Sequence, residues 1–142
     1  MRVFLDTNIV IDFLSGRKPF AEDAIALFQL ADDKEVELLV SDLTIVNTVY
    51  ILQRLHYSMS EIYDSIDDIR SLITIVPIGE GVIDQCLQHR GDDFEDEAQY
   101  FSAINAKTDY VVTRNKKDFD FGDEDVLTPK ELFKKLNVEF DF

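Results

Sequence analysis

Arg2-Val3-Phe4-Leu5-Asp6-Thr7-Asn8 is the stretch on which the reading of this chain turns. Val3, Phe4 and Leu5 are apolar with no polar alternation, which is the pattern of a strand buried on both faces. Such strands belong to parallel sheets covered by helices. Just beyond, Ile9, Val10, Phe13 and Leu14 recur at i, i+1, i+4 and i+5, which predicts a short helix ending near Gly16.

The rest of the chain repeats this alternation. Phe20, Ala24, Leu27, Phe28 and Ala31 stripe a second helix, with Pro19 at its start. Glu37-Leu38-Leu39-Val40 predicts the next strand, and Ser41 or Asp42 then caps a helix running through Thr44, Asn47, Ile51 and Leu55. A helix over 60–71, a strand over 72–76 stopped by Pro77 and a helix over 81–89 follow. Gly91-Asp92-Asp93 breaks the chain before a helix carrying Phe94, Ala98, Phe101, Ala103 and Ile104. Strands over 110–113 and 125–128 and a terminal helix over 129–136 complete the pattern. The expectation is a single α/β domain over residues 1–142, a three-layer sandwich whose central, mainly parallel sheet is flanked by helices.

The chain is 46% hydrophobic and 30% charged, the make-up of a globular domain that builds a core without covalent staples. Cys86 alone excludes a disulfide framework, and with only His56 and His89 beside it no Cys/His zinc site is expected. No apolar run reaches the ~18–20 residues of a membrane span. Met1-Arg2 leads straight into the first strand rather than into a secretory leader, so a cytoplasmic protein with no membrane association is expected. Fourteen basic against 29 acidic residues give a net charge of −15. That surface repels phosphate backbones, yet it leaves carboxylate oxygens for a divalent cation.

Three segments carry chemistry. Asp6 leaves the first buried strand at its carboxyl end, where open parallel sheets form their sites, although an Asp there is also an ordinary helix N-cap. Asp92-Asp93-Phe94-Glu95-Asp96-Glu97 packs five acids into six residues. Such runs are commonly solvated capping faces. The helical spacing nevertheless groups Asp93, Asp96 and Glu97 on one side of the first turn, where the positive helix end favours acids, and turns Asp92 and Glu95 elsewhere. The strand over 110–112 runs into Thr113-Arg114-Asn115-Lys116-Lys117-Asp118-Phe119, where three cations in four residues stand beside oxygen donors. Basic groups next to acids suit a site that holds a metal and a phosphate together. Asp12, beyond one turn of the first helix, reads as a solvated position. Cys86, on a stripe with Val82, Ile83 and Leu87, reads as a small buried hydrophobe.

Together these segments resemble the PIN-domain family, small metal-dependent ribonucleases that include VapC-type toxins of toxin–antitoxin pairs. The likeness rests on Leu5-Asp6-Thr7-Asn8, on Asp93-Phe94-Glu95-Asp96 leading into Ala98 and Ala103, on Val112 through Phe119, and on Thr128-Pro129-Lys130-Glu131-Leu132-Phe133. It implies an Mg²⁺ or Mn²⁺ site at the carboxyl edge of the sheet, with Asp6 and Asp96 as ligands. Two positions depart from the family pattern. Asn47 stands where a Glu is usual, and Asn115 where an Asp usually follows Thr-Arg. Each amide keeps a carbonyl oxygen and loses a charge, which implies weaker cation binding, with Asp118 or Glu95 restoring one charge.

The resemblance assigns catalysis to Asp6, Asp96, Asp118, Asn47 and Asn115, and metal ligation to Asp6, Asp96 and Asn115. It gives ligand orientation to Asn8 and Thr113, and contact with the substrate to Arg114 or Lys116. Its implied partners are an RNA substrate, an antitoxin protein and a second copy in a homodimer. The alternative, suggested by the two amides and the −15 charge, is a non-catalytic PIN-fold module that binds RNA or protein. Other phosphate-handling α/β enzymes fit less well, because the chain has neither a Walker loop nor a G-x-G-x-x-G motif.

Overall fold

The computed structural model describes residues 1–119, 121 and 125–140. The order is β1 (Arg2–Leu5), α1 (Thr7–Ser15), α2 (Ala21–Asp32), β2 (Glu37–Ser41), α3 (Asp42–Arg54), α4 (Met59–Arg70) and β3 (Ile73–Val76). It continues through α5 (Gly79–His89), α6 (Phe94–Asn105), β4 (Tyr110–Val112), a 3₁₀ turn (Lys116–Phe119), β5 (Val126–Leu127) and α7 (Pro129–Lys135). The strands lie in the order β3-β2-β1-β4-β5 and every pairing is parallel, so the sheet expected to be mainly parallel is wholly so among the described residues.

The missing polar alternation is explained by helices on both faces. Val3, Leu5, Leu38, Val40, Val112 and Leu127 point to one side, where they pack with Ile9 and Val10 of α1, Leu27 and Phe28 of α2, Ile69 of α4 and Leu132 of α7. Phe4, Leu39, Val76, Val111 and Val126 point to the other, against Tyr100 and Ala103 of α6 and Phe119. Phe4, Leu5, Leu38 and Leu39 have no exposed surface, and burying each such side chain contributes about 1.5–3 kcal/mol. Cys86 joins α5 to α6 beside Val82 and Ala98 as the small buried hydrophobe expected.

The helix ends follow capping chemistry more closely than apolar spacing. Of the two caps expected for α3, Ser41 takes the role, its Oγ accepting from the Thr44 N–H, while Asp42 Oδ1 accepts from the Leu43 and Ile78 N–H groups. Ser58 and Glu61 form a capping box, so α4 begins at Met59. The helix expected from Gly81 starts at Gly79, whose φ of +70° suits glycine at this entry. Gly16 ends α1 with φ +66°, as expected of a C-cap glycine.

The strand order positions the site. The chain winds from β1 outward to β2 and β3, then crosses back to lay β4 and β5 on the other side. The carboxyl ends of β1 and β4 therefore flank the reversal point, where a crevice opens in an open parallel sheet.

Candidate functional site

Asp6 sits at that reversal point, 9% exposed. It is indeed the N-cap of α1, its Oδ1 accepting from the Thr7 N–H at 2.8 Å. Its Oδ2 serves the crevice, accepting from Thr113 Oγ1 at 2.8 Å and from Asn8 Nδ2 at 3.1 Å. Thr113, just past the end of β4, and Asn8 of α1 thus hold the Asp6 carboxylate. Burial pushes the Asp6 pKa up; the Thr113 and Thr7 hydrogen bonds pull it back, and the charges of Glu95 and Asp118 push it further.

Asp96 lies in the first turn of α6, which Asp93 caps by accepting the Asp96 N–H at 3.0 Å. Its pKa is pushed up to about 7, first by burial and then by Asp93, Asp6, Asp118 and Glu95. The charges of Asp6 and Asp118 thus bear on Asp96, and that of Asp118 on Asp6. Glu95 and Glu97 exchange the positions expected of them. Glu95 faces α3, where Asn47 Nδ2 donates to its Oε1 at 2.8 Å, and its charge bears on both Asp6 and Asp96. Glu97 turns inward, 2% exposed, and bonds His89 Nδ1 and the Gly91 N–H instead. Helical spacing groups neighbouring positions, but partners on α3 and α5 decide which acid faces the crevice. Asn47 thus brings to the site the carboxylate it lacks itself.

The loop after β4 redistributes the expected cations. Arg114 is paired with an acid from α1. Its Nε donates to Asp12 Oδ2 at 2.7 Å and its Nη2 to Oδ1 at 3.3 Å, and its guanidinium lies 4.0 Å from the centroid of the Phe20 ring. Asp12, expected to be solvated, is fully buried by this pair, and burial raises its pKa against the pull of Arg114. Lys116 pairs with Glu131 at 3.1 Å. Lys117 is the cation of this loop with no ion-pair partner among the described residues, and it lines a cavity of about 370 Å³ with His89, Asp93, Asp96, Asp118 and Phe121. Asn115 is exposed and shapes the turn: its N–H donates to Thr113 Oγ1 at 3.1 Å and its carbonyl accepts the Asp118 N–H at 3.0 Å. The carboxylate that this loop turns toward Asp6 and Asp96 is Asp118.

The donor set is oxygen, as Mg²⁺ and Mn²⁺ require, and the mutual repulsion of the acids is what a divalent cation relieves. Asn8 Oδ1 is buried without a hydrogen-bond partner among the described residues, next to Asp6, an acceptor that a water of a hydrated ion would satisfy. Among the described residues no three His, Cys, Asp or Glu side chains stand close enough to clasp a bare ion. Mg²⁺ typically takes one or two carboxylates and keeps several waters, so the residues fit a hydrated ion on Asp6 and Asp96 better than a closed cage.

A family model described as the PIN domain matches residues 2–117. This chain belongs to the PIN-domain family. The PIN fold is shared with several solved structures. A protein of the Rickettsia felis VapBC2 complex, solved bound to a DNA fragment from its promoter, is 19% identical with a TM-score of 0.64, over 89% of this chain and 97% of that one. PAE2754 from Pyrobaculum aerophilum is 14% identical with a TM-score of 0.65, over 98% of this chain and 91% of that one. Mycobacterium tuberculosis VapC20, described as a sarcin-ricin loop cleaving toxin, is 12% identical with a TM-score of 0.60, over 77% and 86%. At these identities the likeness is one of fold. No curated protein matches the sequence. Among the described residues no helix is long and apolar enough to cross a membrane.

Proposed function

We propose that this PIN domain is an Mg²⁺- or Mn²⁺-dependent endoribonuclease, the cytoplasmic toxin of a toxin–antitoxin pair. The observation that carries the reading is the meeting of Asp6, Asp96, Asp118 and Glu95 at the carboxyl edge of the sheet, where the charges of Asp118 and Glu95 push up the pKa of both Asp6 and Asp96, and that of Asp6 adds to the push on Asp96. Family membership and the naming of neighbours as VapBC2 and VapC20 support it.

Asp6 and Asp96 would hold the cation, with Asp118, Asn115 and the Asn47–Glu95 pair completing its shell directly or through water. When bound, the cation lowers the pKa of a water and stabilises charge on the scissile phosphate. Thr113 and Asn8 fix the Asp6 carboxylate, leaving it no rotation to lose on binding. With Arg114 and Lys116 committed to acids of their own, the phosphate contact moves to Lys117, beside Asp96 and Asp118. A protein antitoxin and a second copy are the proposed partners.

Incubating the purified protein and its Asp96→Asn variant with structured RNAs, with and without Mn²⁺, tests the reading. Cleavage by the wild type that needs the cation and Asp96 is expected. Binding of RNA without cleavage under any condition would make the domain a non-catalytic module.

A further inference from the structure

Beneath the acidic edge lies a buried polar cluster that takes no part in the chemistry described above. Gln99, on α6 one turn beyond Asp96, is 1% exposed. Its Nε2 donates to Thr44 Oγ1 at 2.9 Å and to Thr7 Oγ1 at 3.3 Å, and its Oε1 accepts from Ser41 Oγ at 2.7 Å. Thr7 and Thr44 share a hydrogen bond between their hydroxyls at 2.8 Å, and Ser41 Oγ accepts the Thr44 N–H at 3.0 Å. Ser41 and Thr44 are fully buried and Thr7 is 8% exposed.

Each member adjoins a different part of the site. Thr7 follows Asp6 at the end of β1, Thr44 stands one turn before Asn47 on α3, and Gln99 one turn past Asp96 on α6. A core needing only to be filled would be filled equally well by an apolar side chain of this length, with no polar groups to desolvate. A primary amide instead imposes directions: two donors and one acceptor must all meet hydroxyls, which a rotation or slide of α6 would break together.

We infer that Gln99 is a positioning residue that locks α6 to β1 and α3 and so holds Asp96 opposite Asp6 for a shared cation. The inference rests on the cation site proposed above. Gln99 touches neither cation nor substrate; it acts through the hydroxyls of Thr7 and Thr44 on the segments that carry the ligands.

Gln99→Met keeps the length of the side chain and removes its hydrogen bonds. Calorimetric titration with Mn²⁺, beside urea denaturation in EDTA, separates positioning from bulk stability. The expected result is a folded variant whose Mn²⁺ dissociation constant rises about tenfold, the range in which removing a ligand-orienting partner acts. Thr44→Val should weaken binding likewise, Thr44→Ser should restore it, and the Gln99→Met/Thr44→Val double variant should be no weaker than either single change, because both break one network. A Gln99→Met protein that loses stability while binding Mn²⁺ as the wild type does overturns the inference. If Gln99→Met fails to fold, equal affinities in Thr44→Val and Thr44→Ser overturn it instead. A wild type with no affinity for Mn²⁺ overturns the cation site itself, and the inference with it.

Discussion

Asp96→Asn should make the metal-free protein more stable at alkaline pH while abolishing its response to metal. In the folded chain the Asp96 carboxyl has a pKa of about 7 against an ordinary 3.8, because burial and four neighbouring acids disfavour its charge. Folding therefore favours the protonated form. The stability this contributes is fully present below about pH 4, drains away as pH rises toward 7 and is absent above it. At 1.36 kcal/mol per pH unit the full difference is about 4 kcal/mol for a dry site. The carboxylate is partly in water, and screening brings the figure down to about 1–2 kcal/mol. Urea denaturation in EDTA at pH 5 and pH 8 measures it. The variant should gain about 1–2 kcal/mol over the wild type at pH 8 and lose less stability between the two values. Adding Mn²⁺ at pH 8 should then stabilise the wild type by mass action and leave Asp96→Asn nearly unmoved. A variant that is no more stable at pH 8, or one that gains as much from Mn²⁺ as the wild type, would refute the view of Asp96 as a repelled carboxylate awaiting a cation.

Asp118→Asn should weaken Mn²⁺ binding roughly tenfold, because Asp118 is the carboxylate of the β4 loop whose charge reaches Asp6 and Asp96; calorimetric titration checks this. Arg114→Ala leaves the fully buried Asp12 without its partner and should cost about 3–5 kcal/mol in chemical denaturation, with Arg114→Lys recovering only part because it cannot form the two-pronged bond. Gly91→Ala places a Cβ 2.8 Å from the Glu97 carboxyl carbon and should destabilise by about 1–3 kcal/mol; a melting temperature equal to that of the wild type would show that the loop gives way freely.

Local sequence determined the alternation of strands and helices, and the reason is visible in β1 and β2. Val3 and Leu5 pack on one face of the sheet while Phe4 packs on the other, as do Leu38 and Val40 against Leu39. Apolar residues at every position leave only a strand covered on both sides. The same strand places Asp6 at its exit, where capping of α1 and exposure to the crevice come from one side chain. The ends of α3 and α4 were likewise set by local chemistry, Ser41 and the Ser58–Glu61 box closing their first turns.

What periodicity could not supply were partners distant along the chain. A charge at position 12 looks solvated until Arg114, brought beside it by the pairing of β4 with β1, neutralises it in the interior. That pairing also ties Arg114 to Asp12 through two hydrogen bonds. Helical spacing put Glu97 on the side of Asp96 and turned Glu95 elsewhere, and the structure reverses the two. Asn47 from α3 draws Glu95 toward the site, and His89 with Gly91 draws Glu97 inward. Gln99 is an unremarkable polar residue in the sequence and becomes a junction only when β1, α3 and α6 meet around it. Hydrophobic pattern and capping act over a few residues, so the sequence alone carries them. The burial of a charge, or the direction of a carboxylate, depends on which segments fold against it, and that is decided by the tertiary structure.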